Sequence, residues 1–178
     1  GADGDGDRAV FVDNSGRIVN GDAVLLMCAS QLHQEGRLAG NAIVATVMSN
    51  IGLEMALAKR GIGLVRCPVG DKYVMEAMLN RGLSLGGEQS GHIIFADYLF
   101  TGDGLCTALN VLRTVRLTGR TLADLASELT TYPQVLINVR VRDKVDLLTV
   151  PAISAAMARI ESRLKGQGRL LVRYSGTE

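Results

Sequence analysis

The sequence predicts an α/β protein: a mixed, mostly parallel sheet covered by helices, followed by a partial α+β C-terminal domain. Three observations carry this. Apolar strand-like runs alternate with helical segments of about ten to fifteen residues, the pattern of βαβ units. The run 42–48 (Ala-Ile-Val-Ala-Thr-Val-Met) lacks strict alternation, as a strand buried on both faces should. After Tyr132-Pro133 the character changes, and in Ile137-Asn138-Val139-Arg140-Val141-Arg142 apolar and polar residues alternate strictly. That pattern suits an antiparallel strand with one wet face.

In chain order, Ala9-Val10-Phe11-Val12-Asp13 predicts a strand, which Asn14-Ser15-Gly16 turns into a short return, Arg17-Ile18-Val19. Asp22 is placed to cap a helix with Val24, Leu25, Cys28 and Leu32 at helical spacing, stopped by Gly36. After strand 42–48, Ser49 or Asn50 caps a helix running to Arg60, and Gly61 ends it. Gly63–Cys67 is the next strand, and Asp71 caps a helix to Asn80 with Gly82 after it. A strand pair flanks the glycine loop 86–91. Thr101 opens a long helix to about Leu117, and Thr121 a shorter one to about Leu129. Beyond the strand at 137–142, a helix over 152–165 and a strand over 169–172 complete a β-α-β segment.

The 178 residues fit one large domain or two small ones. An apolar content of 47% with 21% charged residues supports a real core and argues against disorder. The 19 Lys and Arg against 18 Asp and Glu leave a net charge of +1, and aromatics are only 4% with no Trp. Neither a basic surface nor base-stacking platforms are on offer, so nucleic acid is not an expected partner. No apolar stretch approaches the ~20 residues of a membrane span. Cys28, Cys67 and Cys106 are odd in number, far apart and set in apolar runs. Buried, reduced thiols and a cytoplasmic setting follow.

Three constellations, and a fourth and softer feature, could carry chemistry. In Asp3-Gly4-Asp5-Gly6-Asp7-Arg8, carboxylates at alternate positions converge only in a looped backbone, which the glycines permit. Hard oxygen donors in that number suit Mg²⁺ or Ca²⁺. An EF-hand fails, because Arg8 stands where Gly is required and Asn14 where a bidentate Glu belongs. A solvated acidic turn is the competing reading, but the adjoining Arg8 points to a metal and a guanidinium sharing a phosphate. Gly86-Gly87-Glu88-Gln89-Ser90-Gly91-His92 offers the mixed donors and acceptors that suit sugar hydroxyls, although a purely structural loop would look similar. Arg173-Tyr174-Ser175-Gly176-Thr177 makes a phosphate cradle or a frayed terminus. In Val69-Gly70-Asp71-Lys72, Asp71 reads as a helix cap rather than a ligand, with Lys72 in the first turn.

These motifs, with Thr101-Gly102-Asp103-Gly104 between the last two and Glu178 closing the series, resemble in their order the α-D-phosphohexomutase superfamily. The likeness covers essentially the whole chain and is strongest to the bacterial glucosamine-phosphate branch. The resemblance implies Mg²⁺ held by Asp3, Asp5 and Asp7 together with a phosphoserine oxygen. Arg8 and Lys72 become catalytic residues. Glu88 and Ser90 would bind sugar hydroxyls with His92 close by, and Arg173, Ser175, Gly176 and Thr177 would grip the phosphate not being transferred. The implied substrate is a small sugar phosphate, glucosamine 6-phosphate exchanging with glucosamine 1-phosphate, with a hexosamine 1,6-bisphosphate as intermediate and activator.

The family has four domains. Residues 1–20 match the tail of the second with its metal loop, 21–131 the third, and 132–178 part of the fourth with its phosphate loop. The catalytic-serine loop of the first domain has no counterpart, since Ser30 lies in a predicted helix. The chain therefore reads as an interior slice, inactive alone, whose partners are the missing N-terminal domains of the same enzyme. A homodimer of the full-length chain is compatible with this. The alternatives are a mutase of the same superfamily acting on mannose or glucose phosphates, a non-catalytic divalent-metal-binding α/β module, and an α/β scaffold without a ligand.

Overall fold

The computed structural model describes residue 1 and residues 3–165 and 167–174. The chain divides into two compact units, Gly1–Tyr132 and Pro133–Glu178.

The first unit opens with an antiparallel hairpin of β1 (Phe11–Val12) and β2 (Ile18–Val19), in register Phe11↔Val19 and Val12↔Ile18. Asp13 shapes its turn. One carboxylate oxygen accepts from Ser15 Oγ at 2.6 Å, Ser15 N at 2.8 Å and Arg17 N at 3.0 Å. The Ser15 hydroxyl and the Arg17 amide hold the carboxyl at a pKa of about 2. A carboxylate depressed in the fold stabilises it fully above its unfolded pKa, about 3.9, and less as pH falls through the folded value. We expect acid to weaken the chain between about pH 4 and pH 2. Asp13→Asn should flatten that part of the profile in denaturant titrations.

Helix α1 (Gly21–Gln34) is capped by Asn20, whose side chain accepts from Ala23 N at 3.1 Å. This corrects the expected cap, Asp22, which lies inside the first turn and is fully buried. Next come β3 (Ala42–Thr46), α2 (Ile51–Ala58) capped by Asn50, and β4 (Gly63–Cys67). The strand expected to reach Met48 ends at Thr46, where Ser49 N folds back onto Thr46 O at 3.1 Å. They are followed by α3 (Asp71–Arg81), β5 (Leu85–Gly87), β6 (Ile93–Phe95), α4 (Gly104–Thr118) and α5 (Leu122–Ala126). Helix α4 is capped by Asp103, whose side chain takes the Cys106 amide at 2.6 Å, rather than by Thr101. Thr121 caps α5 in a reciprocal box with Asp124.

The main sheet runs β4-β3-β5-β6. Strand β3 pairs in parallel with β4 and β5, and β6 returns antiparallel to β5. Strand periodicity shows that both faces are covered. Ile43 and Ala45 pack with Leu25 and Leu26 of α1, Leu53 and Leu57 of α2, Val111 of α4 and Leu125 of α5. Val44 packs the other way, with Val74 and Met78 of α3 and with Ile94. Each fully buried large side chain contributes about 1.5–3 kcal/mol. The sheet is thus the rigid platform for the loops at its edges. Cys28 and Cys67 are buried, Cys106 is half-buried, and all three are free thiols. Burial pushes Cys28 up to about 12 and Cys67 to about 11. Among the described residues no helix is long and apolar enough to cross a membrane.

The second unit holds a 3₁₀ turn, Leu147–Thr149, and helix α6 (Pro151–Leu164). Pro151 suits the first turn, where no amide donor is needed. The Tyr174 hydroxyl donates to Val145 O at 2.8 Å and accepts from Val145 N at 3.0 Å. The strands expected at 137–142 and 169–172 do not form among the described residues. A strand needs a hydrogen-bonded neighbour and a cover for its apolar face. Here Val135, Ile137, Val139 and Val141 are 83%, 76%, 76% and 53% exposed. The alternation is real, but among the described residues of this unit nothing buries it.

Candidate active site

The acidic loop precedes β1 and is fastened to the β5–β6 hairpin. An isolated antiparallel bridge joins Arg8 to His92. Asp3, Asp5 and Asp7 turn inward, and one oxygen from each lies within 4.8 Å of the others. Arg8 Nε donates to Asp3 Oδ2 at 2.6 Å and stands 3.5 Å from Asp7 Oδ1. The Arg8 guanidinium holds the Asp3 carboxyl below the usual carboxylate range and is itself raised by it. The remaining Asp7 oxygen, Oδ2, is 3.2 Å from Nδ1 of the buried His92.

This donor set fits a small hard cation. Octahedral Mg²⁺ places oxygens about 2.1 Å from the metal, hence at most about 4.2 Å apart. The three carboxylates can close to that span. Asp7 Oδ1 is sealed from solvent without a hydrogen bond among the described residues, a lone pair that a cation would use.

Two glycines of Thr101-Gly102-Asp103-Gly104 explain how α4 approaches the loop. Gly104 N donates to Gly6 O at 2.8 Å, and a Cβ on Gly104 would lie 2.6 Å from Arg8 O and 2.9 Å from Gly6 O. A Cβ on Gly102 would overlap the His92 ring. We expect Gly104→Ala to leave the sheet intact, as judged by circular dichroism. It should weaken Mg²⁺ binding in calorimetry by at least about tenfold, because the obstructing atoms are backbone of the ligand loop.

The second loop is the tip of the β5–β6 hairpin. Glu88 N donates to His92 O at 2.9 Å and Gly91 N to Glu88 O at 3.0 Å. Glu88 Oε1 accepts from Gly70 N at 3.0 Å, and the exposed Ser90 hydroxyl is 3.4 Å from Glu88 Oε2. Gly70 occupies the N-cap position of α3 with φ +128°, so Glu88 serves the helix end that Asp71 was expected to cap. Asp71 is the first helical residue, and its carboxylate takes the neighbouring Lys72 N at 2.7 Å. Lys72 is well exposed, its Nζ 3.9 Å from Glu76 one turn along.

The structure therefore gathers Asp3, Asp5, Asp7, Arg8 and His92 into one cluster, and Gly70, Glu88 and Ser90 into a second on the same hairpin. Arg173 belongs to the second unit and is exposed, with Nη1 3.4 Å from Tyr174 O. Ser175, Gly176 and Thr177 lie outside the described residues. Ser30 donates to Leu26 O at 2.7 Å inside α1, and no residue of the cluster touches it. Sequence reasoning missed Gly21 and the buried Asp22 behind the second loop. A Cβ on Gly21 would overlap Glu88 O and sit 2.9 Å from Gly91 N. Their only signal was a glycine-acid pair at a helix start.

A family model described as phosphoglucomutase/phosphomannomutase, alpha/beta/alpha domain III, matches residues 20–132. The chain belongs to the phosphoglucomutase/phosphomannomutase family. The same family's C-terminal domain model matches residues 136–178. Phosphoglucosamine mutase of Solibacter usitatus is 55% identical over 176 residues, covering 99% of this chain and 40% of that protein. Phosphoglucosamine mutase of Desulforudis audaxviator is 53% identical over 176 residues, 99% of this chain and 39% of that one. The chain thus spans about 40% of the length of the curated relatives it matches. Among solved structures, Aspergillus fumigatus N-acetylphosphoglucosamine mutase in complex with GlcNAc-6P and magnesium superposes with a TM-score of 0.78. It is 22% identical and covers 99% of this chain and 42% of that chain, which shows a shared fold. The mixed sheet with helices on both faces lies within residues 20–132, the span that the alpha/beta/alpha domain model matches.

Proposed function

We propose that the chain is the metal- and sugar-binding portion of a phosphoglucosamine mutase, which interconverts glucosamine 6-phosphate and glucosamine 1-phosphate through a phosphoserine and a 1,6-bisphosphate. The observation that supports this is the union of the two loops: the Arg8–His92 bridge and the Asp7–His92 contact hold the acidic loop against the Glu88–His92 loop. The high identity to phosphoglucosamine mutases over nearly the whole chain supports the amino sugar. In this reading residues 1–20 end a second domain, 21–131 are the third, and 132–178 begin the fourth. The nucleophilic serine comes from the part of the enzyme that this chain does not include, and the whole works in the cytoplasm.

Asp3, Asp5 and Asp7 would hold Mg²⁺, which when bound offsets negative charge on a phosphoryl group. Phosphoryl transfer depends on positioning and charge neutralisation more than on covalent help. His92 fixes the orientation of the Asp7 carboxylate through Oδ2, so that Oδ1, 3.5 Å from Arg8 Nε, turns toward the other carboxylates where a cation would sit. Arg8 shares its guanidinium with the same cluster, ready for an anionic substrate. Glu88, held through Oε1 by Gly70, presents Oε2 and the Ser90 hydroxyl to ring hydroxyls. Lys72 stands two residues from that anchor as an exposed cation at the rim, drawing in phosphate. Arg173, Ser175, Gly176 and Thr177 are assigned the non-transferred phosphate, whose grip supplies binding energy remote from the reacting bond.

The test is turnover by the full-length protein with Mg²⁺ and glucosamine 1,6-bisphosphate. Glucosamine 6-phosphate should be converted at a kcat/KM at least about tenfold above mannose or glucose 6-phosphate. A preference for the neutral sugars would contradict the assignment, as would turnover by this chain alone.

A further inference from the structure

Asp22 is a fully buried carboxylate on the first turn of α1, and nothing in the proposed chemistry uses it. Its Oδ2 accepts twice, from Asn50 N at 2.8 Å and from Gln89 Nε2 at 3.2 Å. The first donor sits at the cap of α2 and the second in the sugar loop, so one atom ties together two separate elements. Burial raises the Asp22 carboxyl above the ordinary range, and the Asn50, Ser49 and Gln89 hydrogen bonds counter that rise. A buried acid is costly unless such partners satisfy it, and its removal would strand them.

The chain of contacts continues. Asn50 Oδ1 accepts from Tyr132 N at 3.0 Å and from Gly52 N at 3.0 Å, while Asn50 Nδ2 donates to Tyr132 O at 2.9 Å. Tyr132 is the last residue of the first unit. A Cβ on Gly52 would overlap Thr130 O and sit 3.2 Å from Asn50 Oδ1, so the cap of α2 and the 130–132 segment are in close contact. On the other side, Gly21 N donates to Gln89 O at 2.9 Å, a second tie between the α1 start and the loop.

We propose that Asp22 is a positioning residue that couples the Glu88–His92 loop to the 130–132 segment through the path Gln89–Asp22–Asn50–Tyr132. The assignment of that loop to sugar rests on the function proposed above; the coupling itself does not. The coupling sets how the loop bearing Glu88 and Ser90 is held relative to the end of the first unit. Each link is a directional hydrogen bond: Asn50 caps α2, Asp22 lies in the first turn of α1, and Tyr132 ends the first unit. A change at Gln89 therefore reaches Tyr132 without passing through the hydrophobic core.

The experiment is amide hydrogen exchange by NMR on the chain without sugar, comparing the parent with Gln89→Met, Asp22→Ala and Asp22→Asn. Gln89→Met removes the donor at a half-exposed site and keeps the side-chain length, so it should fold even if Asp22→Ala does not. Exchange at Gly91 N and at Tyr132 N should both accelerate by at least about tenfold in Gln89→Met, while Val44 and Ala45 at the sheet centre stay within about twofold, marking local rather than global opening. Asp22→Asn keeps an acceptor oxygen for Asn50 and Gln89 and should restore most of the protection at Tyr132 that Asp22→Ala loses. Acceleration confined to Gly91, no acceleration at either amide, or uniform acceleration that includes Val44 would each overturn the coupling. Chemical-shift changes at Glu88–His92 on adding glucosamine 6-phosphate read the sugar assignment separately, so the two ideas can fail independently.

Discussion

Gly21→Ala should displace the Glu88–His92 loop and, under the proposed function, weaken glucosamine 6-phosphate binding by well over tenfold (about 1.4 kcal/mol per factor of ten). The atoms that a methyl group would meet are all backbone: the Glu88 carbonyl oxygen, Gly91 N at 2.9 Å and Gln89 C at 3.0 Å. No rotamer change can relieve that. Either α1 retreats from the loop or the loop lifts, and the Gly21 N–Gln89 O hydrogen bond of 2.9 Å is lost. Overpacking of this kind typically costs about 1–3 kcal/mol of stability. Binding measured by calorimetry and unfolding measured in urea separate the two effects. Parent-like values in both would show that the loop is not held against α1 as described.

Asp5→Asn is expected to separate metal binding from stability. Asp5 is exposed, whereas Asp3 and Asp7 are tied to Arg8 and His92. Neutralising it removes one like-charge neighbour from a cluster whose oxygens lie within 4.8 Å of one another. The metal-free chain should therefore be unchanged or slightly more stable. Mg²⁺ affinity should fall by about tenfold or more, since ligand charge count tunes such sites. A metal affinity unmoved by this substitution would make the acidic loop a solvated turn.

Much of the first unit could be read from the sequence because its signals are local. Gly63–Cys67 was bounded by Gly61 and the following loop, the β5–β6 pair by its glycines, and α5 by Thr121. The errors cluster where a helix end is satisfied from outside its own segment. Asp71 lies inside α3, whose N-cap is Gly70, and Gly70 N is held by Glu88, 18 positions away. Asp22 yielded its role to Asn20 because its own side chain is engaged with Asn50, 28 positions away. Tertiary partners of that kind leave no periodic trace. The strands expected at 137–142 and 169–172 failed for a different reason: alternation specifies a face, but pairing requires a neighbour, and among the described residues of their own unit the exposed Ile137 and Val139 have none to cover them.

The site divides along the same line. The acidic loop was visible as charge repeated at alternate positions, a local pattern that the structure folds into converging oxygens. The part played by His92 was not. Its imidazole was grouped with the loop's donors and acceptors for sugar hydroxyls, and the structure also buries its ring against Gly102 with Nδ1 on Asp7. It acts on the acidic cluster from behind, a relation that depends on the fold bringing together residues 85 positions apart.

The most direct measurement is a calorimetric titration of the chain with Mg²⁺ in the presence and absence of glucosamine 6-phosphate. If the acidic loop and the Glu88 loop form one site, the sugar phosphate should tighten Mg²⁺ binding, Mg²⁺ should tighten sugar-phosphate binding by the same factor, and Asp5→Asn should abolish the linkage. Magnesium binding that is indifferent to the sugar phosphate would contradict the account and leave the loop a structural metal site.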